Sequence, residues 1–84
     1  MLLARVTGIV VATRKMDSLV GAKLLTVRPE NSKDEIVVVD YLGAGIDDEV
    51  VVALGSAARV DGNMQNRPVD ALIVGIRDIP SEKR

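Results

Sequence analysis

The pattern of apolar and polar positions predicts β-strands along the first half of the chain. Residues 2–13 carry only apolar residues or glycine at the even positions and a mixture at the odd ones, so we expect a strand with one wholly apolar face. A charged loop follows at 14–21. The stretches KLLTVR at 23–28 and IVVVD at 36–40 have the composition of strands. The polar turn between these two stretches predicts a β-hairpin.

The second half of the chain predicts two more strands. One is EVVVAL at 49–54, and the last runs from about Ala71 to Asp78. The segment Gly55–Arg59 interrupts the β pattern and predicts a helical turn with Ser56 as its N-cap. Apolar residues of the last strand alternate over both faces. We therefore expect one face to lie on the core and the other to be covered by a partner subunit or a helix.

Five short strands, glycine-rich corners and one helical turn predict an all-β fold, a partly open five-stranded barrel of the OB type. A small β-sandwich is the competing fold. The 84 residues should form a single domain, 1–84, without repeats. A domain this small buries only about 60% of its unfolded surface and usually needs disulfides, a metal or oligomerisation. The chain has no Cys and no His, so oligomerisation is the route left open.

Charge and aromatic content exclude several classes of partner. The net charge is −1 and Tyr41 is the single aromatic residue, so the sequence offers neither a basic groove nor stacking platforms for nucleic acid. Arg5 and Thr7 interrupt the apolar N-terminus before a signal-peptide core is reached. No apolar run approaches the roughly 18 residues of a membrane span. We expect no nucleic-acid or membrane partner.

The sequence lacks a recognisable catalytic or metal-binding constellation. The acidic cluster Asp47–Glu49 lies in a turn between two strands, where we expect it to be solvated. Without His, Ser56 would need a Lys base, and none is near it in sequence. Gly43 and Gly45 lack the third glycine and helix of a phosphate loop, and φ > 0 or close backbone approach explains them. We predict no enzyme activity, cofactor or metal.

Five segments in order, between Leu2 and Asp78, resemble the EutN/CcmL family of microcompartment vertex proteins. The chain departs from the family where Asp47-Asp48-Glu49 stands in place of the usual Gly-Glu. The segments that carry the resemblance are Val11-Ala12-Thr13-Arg14-Lys15, Lys23-Leu24-Leu25-Thr26-Val27, Asp40-x-x-Gly43-Ala44-Gly45, Gly55-Ser56-Ala57-Ala58-Arg59, and Pro68-Val69-Asp70 through Val74-Gly75-Ile76-x-Asp78.

The resemblance implies an OB-like barrel that forms a homopentamer at the vertices of a polyhedral shell, a carboxysome or metabolosome, in the bacterial cytoplasm. Hexameric or trimeric shell proteins of the same compartment would be its partners. It also implies contact residues near the five-fold axis, a pore or a subunit boundary. These are Gly43, Ala44, Gly45, Gly55, Ser56, Ala57, Ala58 and Arg59, with Leu72, Ile73, Val74 and Ile76 as a buried or interface strand.

Two other hypotheses stand beside the structural one. An OB-type barrel can be a nucleic-acid-binding module, although the charge and the lack of aromatics argue against it here. An enzyme subunit is disfavoured because the chain has no His, no Cys and no pair of convergent carboxylates.

Overall fold

The computed structural model describes residues 1–12, 14–55 and 70–77. In this part of the chain five strands form a closed barrel in the order β1-β2-β3-β5-β4. Neighbouring strands are antiparallel except β3 and β5, which run parallel. The all-β, five-stranded barrel is thus confirmed, but it is closed and not partly open as predicted. The strands are β1 Leu2–Val10, β2 Lys23–Pro29, β3 Ile36–Asp40, β4 Glu49–Leu54 and β5 Ala71–Ile76.

The predicted strands agree with the observed ones to within three residues at every described end. The bounds of β3 and β4 are as predicted, β1 ends at Val10, and β2 continues to Pro29. The hairpin of β2 and β3 is confirmed. A 3-10 turn, Asp17–Leu19, lies in the segment predicted to be a loop. The predicted helical turn from Ser56 lies outside the described residues, and a single domain over 1–84 stays a prediction.

A β-bulge in β1 changes which residues face the core. Val6 pairs with Val27 whereas Gly8 pairs with Thr26, so Thr7 is the extra residue. The prediction of one apolar face along all the even positions is therefore wrong beyond Val6. From Gly8 onward the even positions lie on the outer side, because their partners on β2 do. The Thr7 hydroxyl lies 3.0 Å from Thr26 Oγ1, on the neighbouring strand.

The barrel interior is filled by small aliphatic side chains, as the near absence of aromatic residues requires. Leu25 and Ile73 are the largest of the fully buried side chains. The interior, called here the main core, consists of Ala4, Val6, Leu25, Val27, Val38, Ala44, Val50, Val52, Ala71 and Ile73, with Leu2 and Ile36 packed against it.

A second apolar cluster lies on the outer side of the barrel. Val39 pairs with Leu24 and with Leu72, so the three strands contribute one row of side chains. The loop around the 3-10 turn covers this row with Leu19 and Ala22. The Lys15 ammonium donates to the Ala22 carbonyl oxygen at 2.6 Å and closes that loop. Leu72, on the outer side of β5, is thus covered by a loop of the same chain.

Helical structure in the described ranges is confined to short turns. No helix there is long and apolar enough to cross a membrane.

Candidate assembly site

Residues 41–48, here called the plug turn, close one end of the barrel. The turn connects β3 to β4 and crosses the end of β5, which lies between them. The Ala44 side chain is fully buried in the main core. On the far side, the Asp47 N–H donates to the Val6 carbonyl, and the Val6 N–H donates to the Asp48 carbonyl, both at 2.9 Å. The plug turn therefore spans the barrel mouth from β3 to β1.

A buried carboxylate fixes the first half of the plug turn. Asp40, at the end of β3, is 1% exposed. Its oxygens accept the N–H groups of Leu42 at 2.8 Å, Gly43 at 3.2 Å and Ala44 at 2.7 Å. These bonds satisfy both the buried charge and three backbone donors. Gly43 has φ 89°, a conformation that favours glycine, and so allows the tight path around the carboxylate.

Further hydrogen bonds fix the rest of the plug turn. The Lys23 ammonium, from β2, donates to the Ala44 carbonyl at 2.9 Å. The Gly45 N–H donates to Asp48 Oδ2 at 2.8 Å. The turn is thus tied to β1, β2 and β3 by polar contacts, although it has no regular secondary structure of its own.

The acidic cluster that was expected to be solvated is largely engaged in contacts. Asp47 is exposed and has φ 73°, while Asp48 bonds within the plug turn. Glu49 lies between two arginines, with Oε1 3.3 Å from Arg5 Nη2 and Oε2 3.3 Å from Arg77 Nη1. The prediction of a solvated cluster is therefore wrong for Asp48, whose carboxylate accepts the Gly45 N–H within the turn, and for Glu49, whose two arginine partners come from distant parts of the sequence.

Metal binding finds no support in the described ranges. No group of three or more His, Cys, Asp or Glu side chains there could hold a metal ion. The carboxylates of Asp40, Asp48 and Glu49 already accept hydrogen bonds or pair with arginine.

The structure places Gly43–Gly45 and Gly55 at opposite ends of the barrel. Gly43–Gly45 belongs to the plug turn, beside the C-terminal end of β3. Gly55 follows the C-terminal end of β4, which is antiparallel to β5 and therefore ends at the other side. It has φ 61°, and its N–H donates to the Asp70 carbonyl at 2.7 Å. Ser56, Ala57, Ala58 and Arg59 lie outside the described residues.

The four predicted residues of β5 have different environments. Ile73 lies in the main core and Leu72 packs against the outer cluster. Val74 and Ile76 are 42% and 37% exposed. Val74 is the extra residue of a bulge, because β4 pairs with Ile73 and then with Gly75. Two of the four side chains thus remain available for contact with another molecule.

Exposed aliphatic side chains are concentrated at the plug-turn end of the barrel, a feature that the sequence analysis missed. Leu42 and Ile46 flank Gly43–Gly45 and are 53% and 57% exposed. The loop that connects β1 to β2 emerges at the same end. It adds Val11, Met16 and Val20, each more than half exposed. The signal available in the sequence was two large aliphatic residues, Leu42 and Ile46, on either side of a glycine turn.

Comparison with known proteins gives the family. The model of the family described as "Ethanolamine utilisation protein EutN/carboxysome" matches residues 1–78. The chain belongs to the EutN/CcmL family. The carboxysome shell vertex protein CcmL of a Synechocystis species is 45% identical over 93% of this chain and 83% of its own length. The microcompartment shell vertex protein PduN of Salmonella typhimurium is 42% identical over 90% of this chain and 93% of its own.

A solved structure agrees with the fold. The pentameric microcompartment shell protein GrpN of Rhodospirillum rubrum has a TM-score of 0.81 and 40% identity, over 94% of this chain and 95% of its own. The family assignment places the chain among structural shell vertex proteins and not among enzymes. The alternative of a nucleic-acid-binding module is not supported.

Proposed function

We propose that five copies of this chain close into a ring that occupies a vertex of a bacterial microcompartment shell. The observation that carries the proposal is the family match over residues 1–78, together with the pentameric GrpN relative. A head-to-tail contact that closes on itself generates such a ring. Flat layers of hexagonal tiles cannot close a polyhedron without five-fold corners. The function of the chain is then to supply curvature to the shell.

The ring contact uses apolar side chains that are exposed on the single barrel. Leu42 and Ile46 on the plug turn and Val74 and Ile76 on β5 are the candidates. Fully burying one such side chain stabilises by about 1.5–3 kcal/mol, and these are already partly buried, so each contributes less. Association costs on the order of 4–15 kcal/mol in lost freedom. Several of these side chains must therefore be buried together for a stable ring.

The plug turn suits such a contact because its hydrogen bonds fix it in advance. Asp40, Lys23 and Asp48 hold the backbone between Leu42 and Ile46. Little conformational entropy remains to be lost there on association, which favours binding.

On the outer rim of the ring we propose contact with the hexameric or trimeric shell proteins that form the facets. Gly55 lies at the other end of the barrel, and we propose that the segment Gly55–Arg59 contributes to the axis or to a subunit boundary.

Native mass spectrometry tests the ring. We expect a species of about 45 kDa, five times the 9.0 kDa of the chain. The double variant Leu42→Ser, Ile46→Ser should shift the population to monomer while circular dichroism shows an intact barrel. Val37→Ser is the control, since Val37 is 54% exposed on β3 away from the plug turn, and it should leave the pentamer unchanged. A wild-type chain that remains monomeric at micromolar concentration contradicts the proposal.

A further inference from the structure

An open cleft of about 280 Å³ lies on the barrel wall, where β1, β2 and the turn after β2 meet. None of its lining residues belongs to the plug turn or to β5, although Arg5 also donates to the Asp47 carbonyl of the plug turn. Its polar lining consists of Arg5, Arg28, Glu30, Asn31, Ser32 and Glu49.

Two arginines lie side by side in the wall of this cleft. Arg5 on β1 and Arg28 on β2 are direct partners in the strand register. Like charges at such positions destabilise a sheet. Each guanidinium has one carboxylate neighbour: Glu49 lies 3.3 Å from Arg5 Nη2, and Glu35 lies 3.6 Å from Arg28 Nη2. The barrel therefore holds two cations side by side and compensates each one separately.

The two arginines differ in how far their donors are used. Arg5 donates to the Asp47 carbonyl at 2.8 Å and to Glu49, so both ends of its fork are occupied. Arg28 is half exposed, and its guanidinium makes only the long ion pair with Glu35 within the described ranges. A guanidinium has five N–H donors in a planar fork. Most of the hydrogen-bonding capacity of Arg28 is therefore available to a ligand.

The turn after β2 brings two more donors to the same cleft. Asn31 is exposed with φ 61°, and its side-chain amide has no partner within the described part of the chain. The Ser32 oxygen accepts the Asp34 N–H at 3.1 Å, which leaves the hydroxyl proton free to be donated. A guanidinium fork, an amide and a hydroxyl thus line one concave surface with unused N–H and O–H groups.

We propose that this cleft is a carboxylate-binding site, in which the Arg28 fork holds the two oxygens and Asn31 and Ser32 donate to them. The planar fork matches a carboxylate in a bidentate geometry. Glu30 and Glu49 also line the cleft, and they disfavour a dianion such as phosphate more strongly than a monoanion. The carboxylate belongs either to a small molecule or to an acidic side chain of a neighbouring shell subunit. The three residues that would bind the carboxylate, Arg28, Asn31 and Ser32, are not among the residues of the ring contact proposed above.

Titration with acetate, followed by ¹⁵N NMR on the assembled protein, tests the site. We expect saturable shifts of the Arg28 Nε and Asn31 side-chain signals, which sodium chloride at equal ionic strength does not reproduce. Arg28→Gln should weaken binding by at least about tenfold, since one charge-assisted bidentate pair is lost. Glu35→Gln should tighten binding, because the carboxylate that competes for Arg28 is neutralised. Arg14→Gln, at an exposed arginine outside the cleft, is the control and should change nothing.

Shifts that grow linearly with acetate, or an Asn31 shift that saturates with unchanged affinity in Arg28→Gln, overturn the proposal. If Arg28→Gln does not fold, Glu35→Gln decides, and an unchanged affinity in that variant overturns it. Co-assembly with facet proteins distinguishes the two sources of the carboxylate, a small molecule or a neighbouring subunit. If Arg28→Gln keeps its melting temperature but fails to co-assemble, the carboxylate belongs to a neighbouring subunit. Full co-assembly of Arg28→Gln, with acetate binding lost, assigns the site to a small molecule.

Discussion

Replacing Asp40 with Ala tests whether the plug turn depends on its buried carboxylate. The change removes the acceptor for three backbone N–H groups, of Leu42, Gly43 and Ala44. The Ala44 N–H is buried and would be left without a partner, whereas the other two are partly accessible to water. We therefore expect the variant to lose stability and the turn to lose its fixed path.

The size of the effect follows from the environment of each donor. A buried polar group left unsatisfied costs about 1–3 kcal/mol, and bonds to a charged acceptor are the stronger ones. With one donor fully buried and two partly buried, we expect Asp40→Ala to lower the free energy of unfolding by about 2–5 kcal/mol. The total free energy of unfolding of a native protein is about 5–15 kcal/mol. Asp40→Asn keeps one acceptor oxygen and should lose about half as much.

Urea unfolding at a fixed protein concentration measures this loss, since ring formation makes apparent stability depend on concentration. If the free energy of unfolding falls by about 1 kcal/mol per molar urea, the midpoint of the unfolding transition should fall by about 2 M or more in Asp40→Ala. Asp34→Ala is the control, because Asp34 is exposed in the β2–β3 turn and should shift stability by at most about 0.5 kcal/mol. A midpoint in Asp40→Ala as close to wild type as that of the control would refute the argument.

Two other predictions concern glycines. Gly43→Val should lower the melting temperature, because φ 89° costs a β-branched residue about 1–3 kcal/mol. Gly45→Ala should be tolerated, since the nearest contact of its added Cβ would be at 3.8 Å. Equal melting temperatures of the two variants would contradict this prediction. Gly8→Ala should destabilise because its Cβ would lie 2.9 Å from Thr26 Oγ1, and Thr26→Ala in the same chain should recover part of the loss. Additive effects in that double-mutant cycle would show that the close approach is not the cause.

β3, β4 and β5 were predictable because each is a short segment made mainly of Val, Ile, Leu and Ala with Gly or an acidic residue beside it. β2 was predictable from its strand-like composition up to Pro29, and β1 from the apolar residues at its even positions. What the pattern could not supply is register. The bulges at Thr7 and Val74 depend on how each strand pairs with its neighbour, which the pattern of a single strand does not show, and they change which residues face the core. The sequence also gave no sign that Leu72 is covered by the loop around Leu19, since that cover depends on the path of the loop.

The candidate site was only partly predictable. The glycines of the plug turn were recognised, but the burial of Ala44 and the role of Asp40 became clear only from the barrel end that they close. One of the predicted β5 residues, Ile73, lies in the core and cannot serve as a probe of the ring. It is 2% exposed in the main core, so Ile73→Asp would unfold the barrel and could not report on the ring. Leu42 and Ile46 are better probes, because both are exposed and the barrel does not need them.

Electron cryomicroscopy of shells assembled from facet proteins with and without this chain tests whether the chain caps the corners of the shell. We expect closed polyhedral shells with five-fold density at their vertices when the chain is present. We expect open or elongated shells when the chain is left out, with the enclosed enzymes still active. Closed shells of normal shape without the chain, or vertices that lack five-fold density when it is present, would contradict the claim that it caps the corners.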